Sequence, residues 1–290
     1  MLNKRGIWIG LFVIVIVAAF VLFSSIVVIS LSMDGFSVAQ ERIAIVKIVG
    51  PILSSEAIVE KLERHIDDDS IPAIVLRLNT PGGGVAASQE IYEAVKKVRQ
   101  AGKKVVVSMG SVAASGGYYI AVASDTVLAN PGTITGSIGV IANFADFSGL
   151  FQKIGIDFPS RKSGKFKDMG STSRKMTDEE KELLDLVIMD THDQFVQAVS
   201  EGRNLDPDVV RSLADGRIFT GRQALKAGLI DALGTYQDAI DLAGAMTGLG
   251  ENPPVLKEKK NLWEELILGT IVKYLWIGTE GRPFNLFYKL

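Results

Sequence analysis

The feature that most restricts this 290-residue chain is a stretch from Gly6 to Met33 without a single charged residue. Most of its positions are Ile, Val, Leu, Phe or Ala. About 20 apolar residues in a helix cross roughly 30 Å of hydrocarbon, so the run is long enough to span a bilayer. A cleaved signal peptide has an apolar region of about 7–15 residues, shorter than this one. Ser24 and Ser25 interrupt the run, but apolar residues resume through Leu31. Lys4 and Arg5 precede it, while Asp34 and Glu41 follow. The positive-inside rule then keeps the N-terminus cytoplasmic and sends the remainder to the extracytoplasmic side of the cell membrane. The expected organisation is a cytoplasmic tip and single-pass transmembrane anchor over 1–33, a linker over 34–41, a folded domain over 42–250 and an aromatic tail over 251–290.

Composition narrows the chemistry of that domain. Lys and Arg total 31 and Asp and Glu 33, a formal net charge of −2 that supplies no basic field for nucleic acid. The chain has no cysteine, which excludes disulfides, thiolate metal sites and a Cys nucleophile together. It has only two histidines, His65 and His192.

Short apolar runs alternate with helical spacings. Arg42–Val49, Ala73–Leu78, Lys104–Met109 and Thr126–Ala129 read as strands. Ser54–Asp67, Val85–Ala101 and Ala113–Ala123 read as helices between them. That alternation implies βαβ units and a mostly parallel sheet. Further on, Phe147–Ile154 reads as a short helix and Asp157–Arg161 as a short strand. Ser160–Thr177 reads as a polar loop, and Asp178–Glu201 as a long amphipathic helix with Thr177 as N-cap ahead of Glu180. Asp206–Leu213, Gly221–Ala227 and Thr235–Met246 are helical. The tail carries Trp263, Leu266, Ile267, Ile271, Tyr274, Leu275 and Trp276, and is expected to pack on the domain or on a neighbouring subunit, with docking on a membrane surface or in a groove as the alternative.

Two glycine-rich segments carry the chemistry. The first, Asn79-Thr80-Pro81-Gly82-Gly83-Gly84, lies between a strand and a helix. It fits the loose G-x-G-x-x-A dinucleotide pattern through Ala87, yet the next strand ends Val107-Ser108-Met109-Gly110 without the acid that would hold a ribose. The Gly-Lys-Ser/Thr of a P-loop is also missing. The other use of such a turn is to present backbone N–H groups to a developing oxyanion, each worth roughly 2.7–4 kcal/mol. In the second segment, Ala113-x-Ser115-x-Gly117 approximates a G-x-S-x-G nucleophile elbow, with the Gly116 N–H beside it as an oxyanion donor.

A serine nucleophile needs a base. His65 sits in a charged helix end and His192 between Asp190 and Asp193 on a helix, so both read as surface residues, and no His/Asp cluster points to a metal. The remaining common base is a lysine, and the basic loop Arg161-Lys162-Ser163-Gly164-Lys165-Phe166-Lys167-Asp168 offers several. A lysine base must be uncharged. Lowering its pKa from about 10.4 to about 7 costs roughly 4–5 kcal/mol, which burial beside apolar groups supplies.

Five ordered motifs now stand together: the glycine turn, Ala113-Ala114-Ser115-Gly116-Gly117-Tyr118-Tyr119, Thr135-Gly136-Ser137-Ile138-Gly139, Ser163-Gly164-Lys165-Phe166-Lys167-Asp168 and Gly216-Arg217-Ile218-Phe219-Thr220-Gly221-Arg222. With the anchor, they make the chain resemble the short, one-domain form of the signal peptide peptidase A family, membrane-anchored Ser/Lys peptidases with the Clp protease/crotonase fold. The resemblance implies an α/β fold of ββα superhelix type. It also implies Ser115 as nucleophile, Lys167 rather than Lys165 as base, and Ser137 hydrogen-bonded to the lysine amine. Gly82, Gly83 and Gly116 become the oxyanion donors, with no cofactor or metal. It further implies hydrophobic peptides and signal-peptide remnants as substrates, and a homo-oligomeric ring on the lipid bilayer. The rivals are a related Ser/Lys membrane protease with another client and a crotonase-type acyl-CoA enzyme, against which an extracytoplasmic location argues.

Overall fold

A computed structural model of the chain describes residues 16–25 and 40–256. Residues 16–25 form helix α1, with Ile16, Val17, Phe20, Val21, Leu22 and Phe23 all exposed. Among the described residues no helix is long and apolar enough to cross a membrane. The rest of the expected anchor, most of the linker and the tail beyond 256 lie outside the described residues.

Eight strands form one sheet: β1 (Ile43–Val49), β2 (Ala73–Thr80), β3 (Lys104–Ala114), β4 (Thr126–Ala129), β5 (Ile134–Gly136), β6 (Ile218–Thr220), β7 (Ala232–Leu233) and β8 (Val255–Leu256). Their order is β6-β5-β3-β2-β1-β8, with β4 and then β7 branching from β3. All pairings are parallel except β5–β6. The helices are α2 (Glu56–Ile66), α3 (Val85–Gln100), α4 (Gly116–Ala121), α5 (Ser148–Ile154), α6 (Asp178–Arg203), α7 (Pro207–Leu213), α8 (Gly221–Lys226) and α9 (Tyr236–Thr247).

The central strands read as continuous apolar runs because both faces are covered, as in parallel sheets generally. Ile74, Leu76, Leu78, Val105, Val107 and Met109 pack with Leu62 of α2 and Ile91, Val95 and Val98 of α3. The alternate residues Ile43, Ile45, Val75, Val106 and Leu128 pack with Ala239, Ile240 and Ala243 of α9 on the opposite face.

β3 is the longest strand, and it forks. Val106–Met109 pairs with β4, whereas Val112–Ala114 pairs with β5. A register shift between Leu78 and Thr80 of β2 lets the strand bend between the two. The helix expected from Ala113 therefore begins later. Ala113 and Ala114 belong to the strand, and α4 starts only at Gly116. Hydrogen bonding to β5 outweighs the helix preference of two alanines there. The strand expected at Asp157–Arg161 is also corrected: that segment is irregular, and Phe158 packs on Phe151 of α5.

Candidate active site

Strand gives way to helix at Ser115. Its backbone has φ 52° and ψ −121°, the first central position of a type II′ turn, which glycine normally occupies. A non-glycine residue held there costs of order 1–3 kcal/mol and persists only where its surroundings dictate it. The surroundings are visible on both sides. The Ser115 N–H donates to the Gly136 carbonyl at 2.8 Å, and the Ser115 carbonyl accepts the Tyr119 N–H of α4 at 2.9 Å. Small residues follow because nothing larger fits. A Cβ on Gly116 would collide with Ser88 Oγ, and one on Gly117 would lie 2.6 Å from Thr80 Cγ2.

The glycine turn lies directly against this junction. A Cβ on Gly82, at φ 104°, would stand 2.8 Å from both the Gly116 nitrogen and Ser115 Cβ. The turn is clamped from behind by Ile52, whose N–H donates to the Gly82 carbonyl at 2.9 Å and whose carbonyl accepts the Gly84 N–H at 2.8 Å. Gly83 is obligatory, since an added Cβ would enter the Ile52 carbonyl. Buried Thr80 completes the turn by accepting the Gly82 N–H on Oγ1 at 3.1 Å.

That last bond corrects one expectation: the Gly82 N–H is already occupied, so Gly82 shapes the turn rather than offering its proton. The N–H groups of Gly83 and Gly116 meet no acceptor among the described residues. The Gly83 nitrogen lies only 3.3 Å from where a Gly116 Cβ would be, so the two donors are neighbours.

Ser137 arrives from β5. Thr135 Oγ1 donates to the Ala113 carbonyl at 2.7 Å and Gly136 pairs with Ala114, so Ser137 leaves the ladder beside the serine junction. Ser137 also has a left-handed backbone, φ 50°, and its N–H donates to the Arg217 carbonyl at 2.9 Å. Lys167 is exposed, in a succession of turns that links α5 to α6. Ser115 Oγ, Ser137 Oγ and Lys167 Nζ each lack a hydrogen-bond partner among the described residues, so no hydrogen bond joins these three side chains within the single chain. Lys165, by contrast, is paired with Glu179.

The turns around Lys167 are fastened by ions. Arg174 grips the Asp168 carboxylate at 2.7 and 3.0 Å, and reaches Glu180 Oε2 at 2.8 Å. Arg174, and after it Lys162, holds the Asp168 carboxyl well below the usual carboxylate range. Arg174 and the Thr177 N–H bring Glu180 down to about 2. Neither histidine joins the site. His192 lies against the Ala214 carbonyl at 2.7 Å through Nε2. Among the described residues no group of three or more His, Cys, Asp or Glu could hold a metal ion.

An apolar rim borders the turn. Leu53 is 86% exposed and Val49 69%, on either side of the Ile52 clamp, and Val85 follows Gly84 in an exposed position. Sequence reading missed Ile52, Thr80, Ser88 and Arg174. Only Thr80, inside a glycine motif, carried a local signal.

Comparison with known proteins decides the family. The model described as peptidase family S49 matches residues 97–249, and that for Clp protease matches residues 37–133. The chain belongs to peptidase family S49. It is 43% identical over 211 residues to the protein named "Putative protease slr0021" of Synechocystis, covering 72% of this chain and 76% of that one. It is 40% identical to the "Putative signal peptide peptidase SppA" of Enterococcus faecium, over 62% of this chain and 53% of that one. To the chloroplastic serine protease SPPA of Arabidopsis thaliana it is 32% identical, over 71% of this chain and 30% of that one. This S49 member is thus a serine peptidase of SppA type, and its mixed α/β sheet fits the Clp protease-like fold of the second match.

Proposed function

We propose that this S49 peptidase is a membrane-anchored endopeptidase that uses a Ser115/Lys167 dyad to hydrolyse hydrophobic peptides, notably signal-peptide remnants. The observation that carries the reading is the pair of unengaged N–H groups, Gly83 and Gly116, beside the strained Ser115. Donors fixed where an oxyanion forms cost no reorganisation during reaction.

In the proposed reaction, the Lys167 amine in its uncharged form takes the proton from Ser115 Oγ as that oxygen attacks the peptide carbonyl. The Gly83 and Gly116 N–H groups hold the tetrahedral oxyanion. The Lys167 ammonium then protonates the leaving amine, and water resolves the acyl-enzyme with the same amine as base. Ser137, leaving the sheet beside Ser115, would hold the amine without adding a charge. The exposure of Lys167 on an excursion rich in exposed apolar residues, from Ile141 to Phe158, supports assembly into a ring in which neighbouring copies meet. The exposed Val49, Leu53 and Val85 support apolar substrates. The uncharged run Gly6–Met33 supports a single anchor, with the catalytic domain on the extracytoplasmic side.

The test is product analysis by mass spectrometry on a signal-peptide mixture. Wild type should generate fragments, while Ser115→Ala and Lys167→Ala should each generate none with the fold retained. Fragments from either folded variant would refute the dyad, and Lys165→Ala should cleave normally.

A further inference from the structure

The turns that carry Lys167 leave it exposed, yet a base must be held within a fraction of an ångström of its proton donor. Their internal hydrogen bonds are local: Lys167 N–H to Gly164, Met169 N–H to Phe166 and Ser171 N–H to Asp168. Phe144 lies over Gly170, where an added Cβ would strike its ring. Lys165 on Glu179 and the Thr172 carbonyl under the Phe147 N–H also fasten these turns, but the tie at the residue next to Lys167 is Arg174. Its guanidinium holds the carboxylate of Asp168, adjacent to Lys167, and also the Asp168 carbonyl at 3.2 Å. On its other edge it holds Glu180.

Glu180 is no ordinary partner. It is the third residue of the 26-residue helix α6 and is 2% exposed. Its Oε2 accepts the Thr177 N–H at 2.9 Å, and its own N–H donates to Thr177 Oγ1 at 3.2 Å, closing a capping box. The carboxylate is therefore fixed by the helix before Arg174 reaches it. A planar guanidinium with both edges engaged transmits that fixed position more rigidly than a single-point cation.

We infer that Arg174 is a positioning residue for Lys167, setting the base by clamping Asp168 to the capped N-terminus of α6. This rests on the reading of Lys167 as base. The groups facing the clamp are Lys162 on Asp168, and Asp168 and Glu180 on Arg174; Lys165 pairs separately with Glu179.

The experiment measures kcat and KM of the full chain on an apolar fluorogenic peptide. Arg174→Ala should lower kcat about 100-fold while KM moves less than about threefold, the signature of a misplaced group rather than lost substrate binding. Millimolar guanidinium should restore part of the lost kcat. Arg174→Lys and Glu180→Gln, which disturb folding less, should each lower kcat about 10-fold. Arg211→Ala, which removes an exposed pair with Asp193, serves as control and should match wild type. If Arg174→Ala fails to fold, the two milder variants decide, and wild-type kcat in both overturns the clamp. Wild-type kcat in folded Arg174→Ala, with Lys167→Ala inactive, overturns the clamp and leaves the dyad standing. Activity in Lys167→Ala overturns the dyad and the clamp together.

Discussion

The N–H of Ser115 donates to the carbonyl of Gly136 at 2.8 Å, so the backbone of one serine is tied to the residue immediately before the other, Ser137. Both serines have positive φ, 52° and 50°, and both bends begin where β3 and β5 end side by side. The conformation of Ser115 is thus imposed by sheet pairing, with a local energetic cost.

That cost is measurable. Ser115→Gly should relieve the positive-φ strain and stabilise the fold by about 1 kcal/mol, while abolishing peptidase activity. Urea titration of both proteins, alongside an activity assay, checks both halves of the expectation. A destabilised Ser115→Gly would contradict the strain argument.

Gly83→Ala should be far worse than its size suggests. The new methyl group would enter the Ile52 carbonyl, forcing the clamp and turn apart. Displacing one oxyanion donor typically costs about 10²–10³ in kcat. Labelling of Ser115 by a fluorophosphonate should slow in parallel, because the phosphoryl oxygen would use the same donors.

Gly116→Ala offers a rescue experiment. The collision of its methyl group is with Ser88 Oγ, the end of a side chain that donates to the Gly84 carbonyl at 2.9 Å. Ser88→Ala removes that oxygen and leaves Ser88 Cβ at 3.3 Å, a tight but tolerable contact. The double variant should recover stability lost by Gly116→Ala, giving a coupling of about 1 kcal/mol in a double-mutant cycle. Additive losses would show that the backbone, not Ser88, is the obstacle.

Acid should loosen the turns around Lys167 later than ordinary carboxylate chemistry implies. Asp168, Glu180 and Asp215 are all held below their usual range, the last two down to about 2, by Arg174 in the first two cases and by Arg217 in the third. Groups with a depressed folded-state pKa contribute stability above their unfolded value, near about 4, and lose it as pH falls toward the folded value. The thermal midpoint should therefore not fall through these groups between pH 7 and about 5, and should drop between about 4 and 2. Circular dichroism at each pH checks this, and loss of folded structure between pH 7 and 5 would contradict it.

Much of the scaffold was legible from local pattern. Ile43–Val49 and Ala73–Thr80 are apolar on both faces because α2 and α3 cover one side and α9 the other, and unbroken apolar runs are what such burial requires. Thr177 and Glu180 form the expected capping box. The junction at Ser115 was misread by a few residues because Ala113 and Ala114 look helical. Only a partner strand more than 20 residues downstream, Ile134–Gly136, makes them extended. The same limit hid Ile52 and Arg174. Their roles lie in a carbonyl clamped on a distant glycine and in a guanidinium shared between two carboxylates, neither of which leaves a periodic trace.

The excursion that carries Lys167 departs after Gly136 and returns at Ile218, and these two residues sit opposite each other in the β5–β6 ladder. Because entry and exit are already stapled, the exposed part between Ile141 and Phe158 can change in length and shape at little entropic expense, while the strand ending at Ser115 stays as it is. Insertions there would reshape the outer surface of the molecule without disturbing the hydroxyl's seat. The fold thus separates a fixed anvil from an adaptable arm.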